Sequence, residues 1–192
     1  MPHYIPEGPL ELSDAFITRL IELERDRQNR KLVMIASESV CPGAVREALA
    51  CEFSNIYAEG YPAPSMIALG EPALESLDET FAEFRRYGDR RYYKGCDYVN
   101  LVESVAQRRL VELFANDRVP AERLHANVQP LSGAAANNAV FNAFLKNGDR
   151  IMGMSLVTGG HLTHGSPVNR SGRTYEVASY TPSRGGQLDY DE

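Results

Sequence analysis

The chain has no tryptophan, only three cysteines and no long apolar run in its 192 residues. Cys41, Cys51 and Cys96 are odd in number and widely spaced, without a C-x-x-C pair, so reduced thiols are expected rather than a disulfide framework or a zinc site. No apolar stretch approaches the roughly 20 residues of a membrane-spanning helix, which argues against a membrane protein. The first ten residues carry Pro2, Pro6 and Pro9 and lack the basic and apolar regions of a signal peptide, so a cytoplasmic protein is expected. Positive charge is scarce: 20 Lys and Arg face 26 Asp and Glu, a net charge of −6. The densest basic runs, Arg85-Arg86 and Arg90-Arg91, are short and interspersed with acids, which argues against a nucleic-acid partner held through its phosphates. What remains is an ordinary soluble composition, 43% apolar and 24% charged, sufficient for one domain or part of a larger one.

Ser13 with Asp14 reads as a helix start. Phe16, Ile17, Leu20, Ile21 and Leu23 then recur at helical spacing through a charged stretch ending near Arg30, predicting an amphipathic arm that packs on something else. Residues 32–36 form a short strand or extended segment, and Cys41-Pro42-Gly43 opens a second helix over 44–52, leaving Ser37-Glu38-Ser39 on a loop. From Ala63 to about Asp89 the chain changes character, punctuated by Pro64, Gly70 and Pro72, with a charged helix over 74–87; it looks inserted between two loops. Helical spacing resumes over 99–114, with Val102, Val105, Ala106, Leu110 and Leu113 on one face. Residues 127–129 and 150–154 are strand candidates flanking a helix over 135–145 that Lys146, Asn147 and Gly148 close. Strand, helix and strand imply a βαβ unit and an α/β fold.

Three places could carry chemistry. Ser132-Gly133-Ala134 opens the alanine-rich helix, where free amides at a helix amino terminus and a hydroxyl donor suit an anion such as phosphate; Ser-Gly is equally a routine helix start. Gly159-Gly160-His161-Leu162-Thr163-His164-Gly165 is a glycine-bracketed loop. No acid or cysteine beside its histidines completes a metal site, so the glycines point to close approach of the backbone to a ligand, with an imidazole free to stack or exchange protons. In Tyr57-Ala58-Glu59-Gly60-Tyr61-Pro62 a carboxylate lies between two aromatic residues, a setting that partly desolvates it for acid–base work, or alternatively a surface turn.

Taken in order, Ile35-Ala36-Ser37-Glu38, Tyr57 to Pro62, Arg91-Tyr92-Tyr93, Asn127-Val128-Gln129-Pro130, Ser132 to Asn137 and Gly159 to Pro167 closely resemble serine hydroxymethyltransferase. The likeness covers residues 32–180, interrupted by the insert. It implies the amino-terminal portion of a fold type I pyridoxal-phosphate-dependent transferase large domain. Residues 1–31 would be a helical N-terminal arm, and 32–192 a partial cofactor-binding domain with an inserted segment at 63–90. The implied reaction interconverts serine plus tetrahydrofolate with glycine plus 5,10-methylenetetrahydrofolate, with pyridoxal 5'-phosphate as electron sink and tetrahydrofolate as co-substrate. By the resemblance, Ser132, Gly133 and Ala134 hold the cofactor phosphate and His161 stacks on its ring. Ser37 binds the substrate carboxylate, Tyr57 and Tyr93 line the pocket, and Glu59 shuttles a proton. Leu156, Gly160, His161 and Leu162 touch folate. Tyr57, Glu59 and Tyr93 would reach into a neighbouring subunit's site, implying a homodimer or tetramer, with no nucleic-acid or membrane partner.

The sequence also departs from the pattern. Residues 63–90 separate two motifs that usually lie close together, and this insert is expected to loop outward. Ala135 stands where Gln is common, and Thr158 where His is common. The family's cofactor-anchoring lysine, the aspartate for the pyridine nitrogen and the arginine for the substrate carboxylate belong after position 192, and no lysine follows Lys146. An amino-terminal fragment is therefore expected to bind the cofactor only by phosphate and stacking contacts, with negligible transfer and an exposed sheet edge. Two other readings are a pyridoxal-phosphate-dependent aldolase of β-hydroxy amino acids and a non-catalytic truncated subunit. Folate-dependent exchange of the glycine α-proton separates the aldolase from the transferase.

Overall fold

In a computed structural model that describes residues 8–69, 76–87, 90–188 and 190, the chain divides into two units, Met1–Ile56 and Tyr57–Glu192. The first unit holds α1 (Leu10–Ser13), α2 (Ala15–Arg30), α3 (Gly43–Leu49) and a 3-10 turn, Glu52–Asn55. Asp14 caps α2: its Oδ1 accepts the Ile17 amide at 3.0 Å, satisfying one of the donors that a helix start leaves open. The predicted arm helix is therefore present. Its apolar residues Phe16, Ile17, Leu20, Ile21 and Leu23 are all exposed, and no residue of α2 is buried. Three ion pairs run along it: Arg19 with Glu22, Arg27 with Glu24, and Arg30 with Asp26. Residues 32–36 form no strand; the Glu38 amide donates to the Ile35 carbonyl at 3.0 Å, so the chain turns there.

The second unit opens with β1 (Gly60–Tyr61), which pairs antiparallel with β2 (Arg90–Arg91). Between them lie α4 (Pro64–Leu69) and α5 (Leu77–Tyr87), and beyond them α6 (Asp97–Phe114). The expected outward loop is not what these helices form. Ala63, Met66 and Phe84 make one buried apolar cluster, and Phe81 makes another with Leu101 of α6 and Leu77. Phe81 also meets Tyr98 edge to face at 5.0 Å, and Arg85 pairs with Asp97 at 3.1 Å. Burying a phenylalanine stabilises by about 1.5–3 kcal/mol, so an amphipathic α5 gains more by packing on α6 than by standing in water. Gly70, Pro72 and Leu74 lie outside the described residues.

On α6 the buried face also differs from the expected one. Val102 and Leu113 are exposed, whereas Asn100, Leu101, Glu103, Ser104 and Gln107 are buried. Positions 100, 103, 104 and 107 share one helix face by their spacing, and that face is mostly polar because it meets a buried guanidinium.

α7 (Gly133–Phe144) starts two residues before the expected position because Ser132 caps it, with Oγ accepting the Ala135 amide at 3.2 Å. β3 (Arg150–Met154) forms where predicted. It pairs in parallel with β4 (Glu176–Tyr180), Ile151 opposite Val177, through a connection that contains α8 (Arg170–Thr174). Residues 127–129 are not a strand. Asn127 Oδ1 accepts the Gln129 amide at 3.0 Å, a side-chain turn that competes with strand geometry. The parallel pairing of a mixed helix and strand unit thus rests on β3 and β4, not on a strand before α7. Among the described residues no further strand flanks either of them, and Met152 stays exposed. No helix among the described residues is long and apolar enough to cross a membrane.

Candidate functional site

Two clusters in the second unit gather most of the residues singled out by sequence. The first is built on the short β1–β2 pairing. Gly60 sits opposite Arg91 with φ +98, and a Cβ there would lie 2.4 Å from the Arg90 carbonyl oxygen, so only glycine allows the strands this close. The Tyr92 amide donates to the Glu59 carbonyl at 3.0 Å. This brings Tyr57 and Tyr93 together edge to face, with centroids 5.3 Å apart, and the Tyr57 hydroxyl donates to Glu59 Oε1 at 3.2 Å. The three expected residues of this cluster therefore meet. Glu59 is nonetheless exposed, so the anticipated partial desolvation of its carboxyl is absent: the two tyrosines stand beside it without covering it.

Beneath the loop lies a group that sequence reasoning left without a role. The Arg91 side chain is fully buried; its Nη1 donates to the carbonyls of Ala58 and Gly60 at 2.7 and 2.8 Å, and its Nε to Asn100 Oδ1 at 2.8 Å. Its Nη2 donates to Glu103 Oε2 at 2.5 Å. Gln129 Nε2 completes the arrangement, donating to the Gly60 carbonyl at 2.8 Å and to Glu103 Oε1 at 2.9 Å. A signal was available in the sequence: Asn100, Glu103 and Gln107 recur at helical spacing amid apolar residues, a pattern that asks for a buried cation.

The second cluster joins the start of α7 to the loop after β3. Of the first amides of α7, that of Ala135 is taken by the Ser132 side chain and that of Ala136 by the Ser132 carbonyl. Among the described residues, the amides of Gly133 and Ala134 have no partner, and a Cβ on Gly133 would meet nothing within 4 Å. Two free amides at a helix amino terminus, open space and a hydroxyl still able to donate make an anion cradle that fits a phosphate. Farther along α7, Asn137 Nδ2 donates to Thr163 Oγ1 at 2.7 Å. The Thr163 amide and hydroxyl converge on His161 Nδ1 at 3.2 and 2.7 Å. Because an amide can only donate, Nδ1 accepts, and the neutral ring carries its proton on the exposed Nε2 side. Asn137 therefore ties the helix that opens on the cradle to the loop that presents His161.

Leu156, in a 3-10 turn Leu156–Thr158, shares with His161 and His164 the lining of a surface cleft of about 210 Å³. Leu162 is exposed on the same loop. A Cβ on Gly160 would lie 2.0 Å from the Met154 carbonyl oxygen, so its smallness serves the turn against β3. Ser37 is exposed in the turn of the first unit. A family model described as serine hydroxymethyltransferase matches residues 10–71 and 68–192 of this chain.

Proposed function

This chain belongs to the serine hydroxymethyltransferase family, pyridoxal-phosphate-dependent transferases that act on serine or glycine with tetrahydrofolate, and we propose that it supplies the phosphate-holding, ring-stacking and proton-carrying parts of that site. The observation that carries the reading is the coupling of two unpartnered amides, Gly133 and Ala134, to a histidine of fixed tautomer through Asn137 and Thr163. Pyridoxal phosphate, when bound, supplies the electron sink for bond cleavage beside the α-carbon.

In this reading Ser132, Gly133 and Ala134 bind the phosphate, adding charge-assisted hydrogen bonds at the positive end of α7. His161 presents its ring for stacking, held by Thr163. Glu59 moves a proton between the serine hydroxyl and the folate, and the Tyr57 hydroxyl beside it steadies the carboxylate. Ser37 binds the amino-acid carboxylate, and Leu156, Gly160 and Leu162 contact folate. The exposure of Tyr57, Tyr93 and Glu59 supports their reaching into the site of a second copy, which would exclude the water that now surrounds them. Residues 1–31 would then form a helical arm, and 32–192 part of a fold type I cofactor domain, in a cytoplasmic homodimer or tetramer.

Titration of the chain with pyridoxamine 5'-phosphate, which cannot condense with stray amines, tests this reading through the change in ligand fluorescence. Saturable binding that weakens by about three- to tenfold in Ser132→Ala and in His161→Ala is expected. Equal binding by the three proteins, or none, would overturn it.

A further inference from the structure

We propose that Arg91 is the positioning residue for Glu59, fixing the backbone on both sides of the carboxylate while leaving the side chain free to move. The proposal rests on the reading of Glu59 as the proton carrier.

Three consecutive carbonyls are tied down here. Those of Ala58 and Gly60 accept from Arg91 Nη1, and the Glu59 carbonyl between them accepts from the Tyr92 amide. Arg91 is held in turn. Its Nε is bonded to Asn100 and its Nη2 to Glu103, both on α6, and Gln129 bridges Glu103 to the Gly60 carbonyl. Burying an ionised guanidinium is unfavourable unless its charge and donors are matched, so a fully buried arginine with these partners has few alternative poses. The Glu59 side chain contrasts with this. It is exposed, and its contact with the Tyr57 hydroxyl is 3.2 Å long. A carrier that must take a proton at one atom and release it at another needs a mobile carboxylate on an immobile base, and that is the division seen.

Arginine is required by the geometry. One guanidinium spans the two carbonyls on one side and the Asn100 and Glu103 side chains on the other, whereas the three donors of a lysine radiate from a single nitrogen and cannot cover both. Arg91→Lys keeps the charge and loses the reach.

The test is amide hydrogen exchange by NMR on the chain carrying Arg91→Lys or, as a gentler change, Asn100→Ala. Exchange at the Tyr92 amide is expected to quicken by about tenfold or more in Arg91→Lys and by about threefold in Asn100→Ala, while amides in the middle of α6 change by less than about twofold. Wild-type exchange at Tyr92 in both variants would overturn the proposal. So would equal acceleration at Tyr92 and in α6, which marks a merely structural arginine; if Arg91→Lys does not fold, Asn100→Ala is judged by the same criteria. Glu59→Gln separates this inference from its premise. Tyr92 exchange reports the hold of Arg91 on the loop whether or not Glu59 carries a proton, and it is expected to stay at the wild-type rate in Glu59→Gln.

Discussion

The hydroxyl of Thr163 lies 2.7 Å from His161 Nδ1, and only 2% of the residue is exposed. A buried hydroxyl that accepts from Asn137 and donates to an imidazole is doubly committed, so its loss removes two hydrogen bonds at once. Thr163→Val, which keeps the shape, is expected to lower stability by about 1–3 kcal/mol. The Nε2-protonated form of His161 should persist, because the amide of residue 163 still donates to Nδ1. Urea unfolding reads the first effect and the nitrogen-15 shifts of the imidazole read the second.

The inserted segment should matter to stability. Phe84 is 4% exposed among Ala63 and Met66. Phe84→Ala is expected to cost about 3–5 kcal/mol, a large part of the 5–15 kcal/mol that holds a typical domain. A midpoint of denaturation equal to wild type would mean that Phe84 does not pack among Ala63 and Met66 in solution.

Ser132 both caps α7 and offers a donor to an anion. Ser132→Ala is expected to lose about 1 kcal/mol of stability through the cap alone, measured without ligand. Ser132→Gly should lose less than that while weakening phosphate binding to a similar degree. The two roles can therefore be told apart by comparing melting and binding in both variants.

Gly160→Ala places a Cβ 2.0 Å from the Met154 carbonyl oxygen, closer than any relaxed contact. Since the obstacle is backbone, the turn must move, and a loss of about 1–3 kcal/mol is expected. Chemical-shift changes should be confined to residues 154–164 if the damage is local.

On α2 the Arg27 guanidinium, helped by the Gln28 amide, holds the Glu24 carboxyl down at about 2 from an ordinary 4.5. A depressed carboxyl contributes above its unfolded value, and that contribution fades as pH falls from about 4.5 toward 2. Arg27→Ala is expected to return the carbon-13 titration midpoint of Glu24 toward 4.5. Because the pair lies at the solvent-exposed surface, little change in melting temperature should accompany it.

Local signals carried far in this chain. Asp14 and Ser132 announce helix starts because their side chains meet amides only a few residues away, and the apolar run at 150–154 marks β3 without help from distant residues. The order of short motifs around Tyr57, Ser132 and His161 was enough to identify the family. What sequence could not say is which face of α6 turns inward, since periodicity groups residues on a face without telling what meets it. The polar face won because Arg91 is there, and Arg91 is there to reach carbonyls 33 and 31 residues earlier in the chain. The insert read as an outward loop for the same reason: Phe81 and Phe84 become core only when Leu101 and Met66 are brought to them. Partners close in sequence decided the elements, and partners far apart in sequence, brought together by burial and by the need to match a buried charge, decided what those elements hold in place.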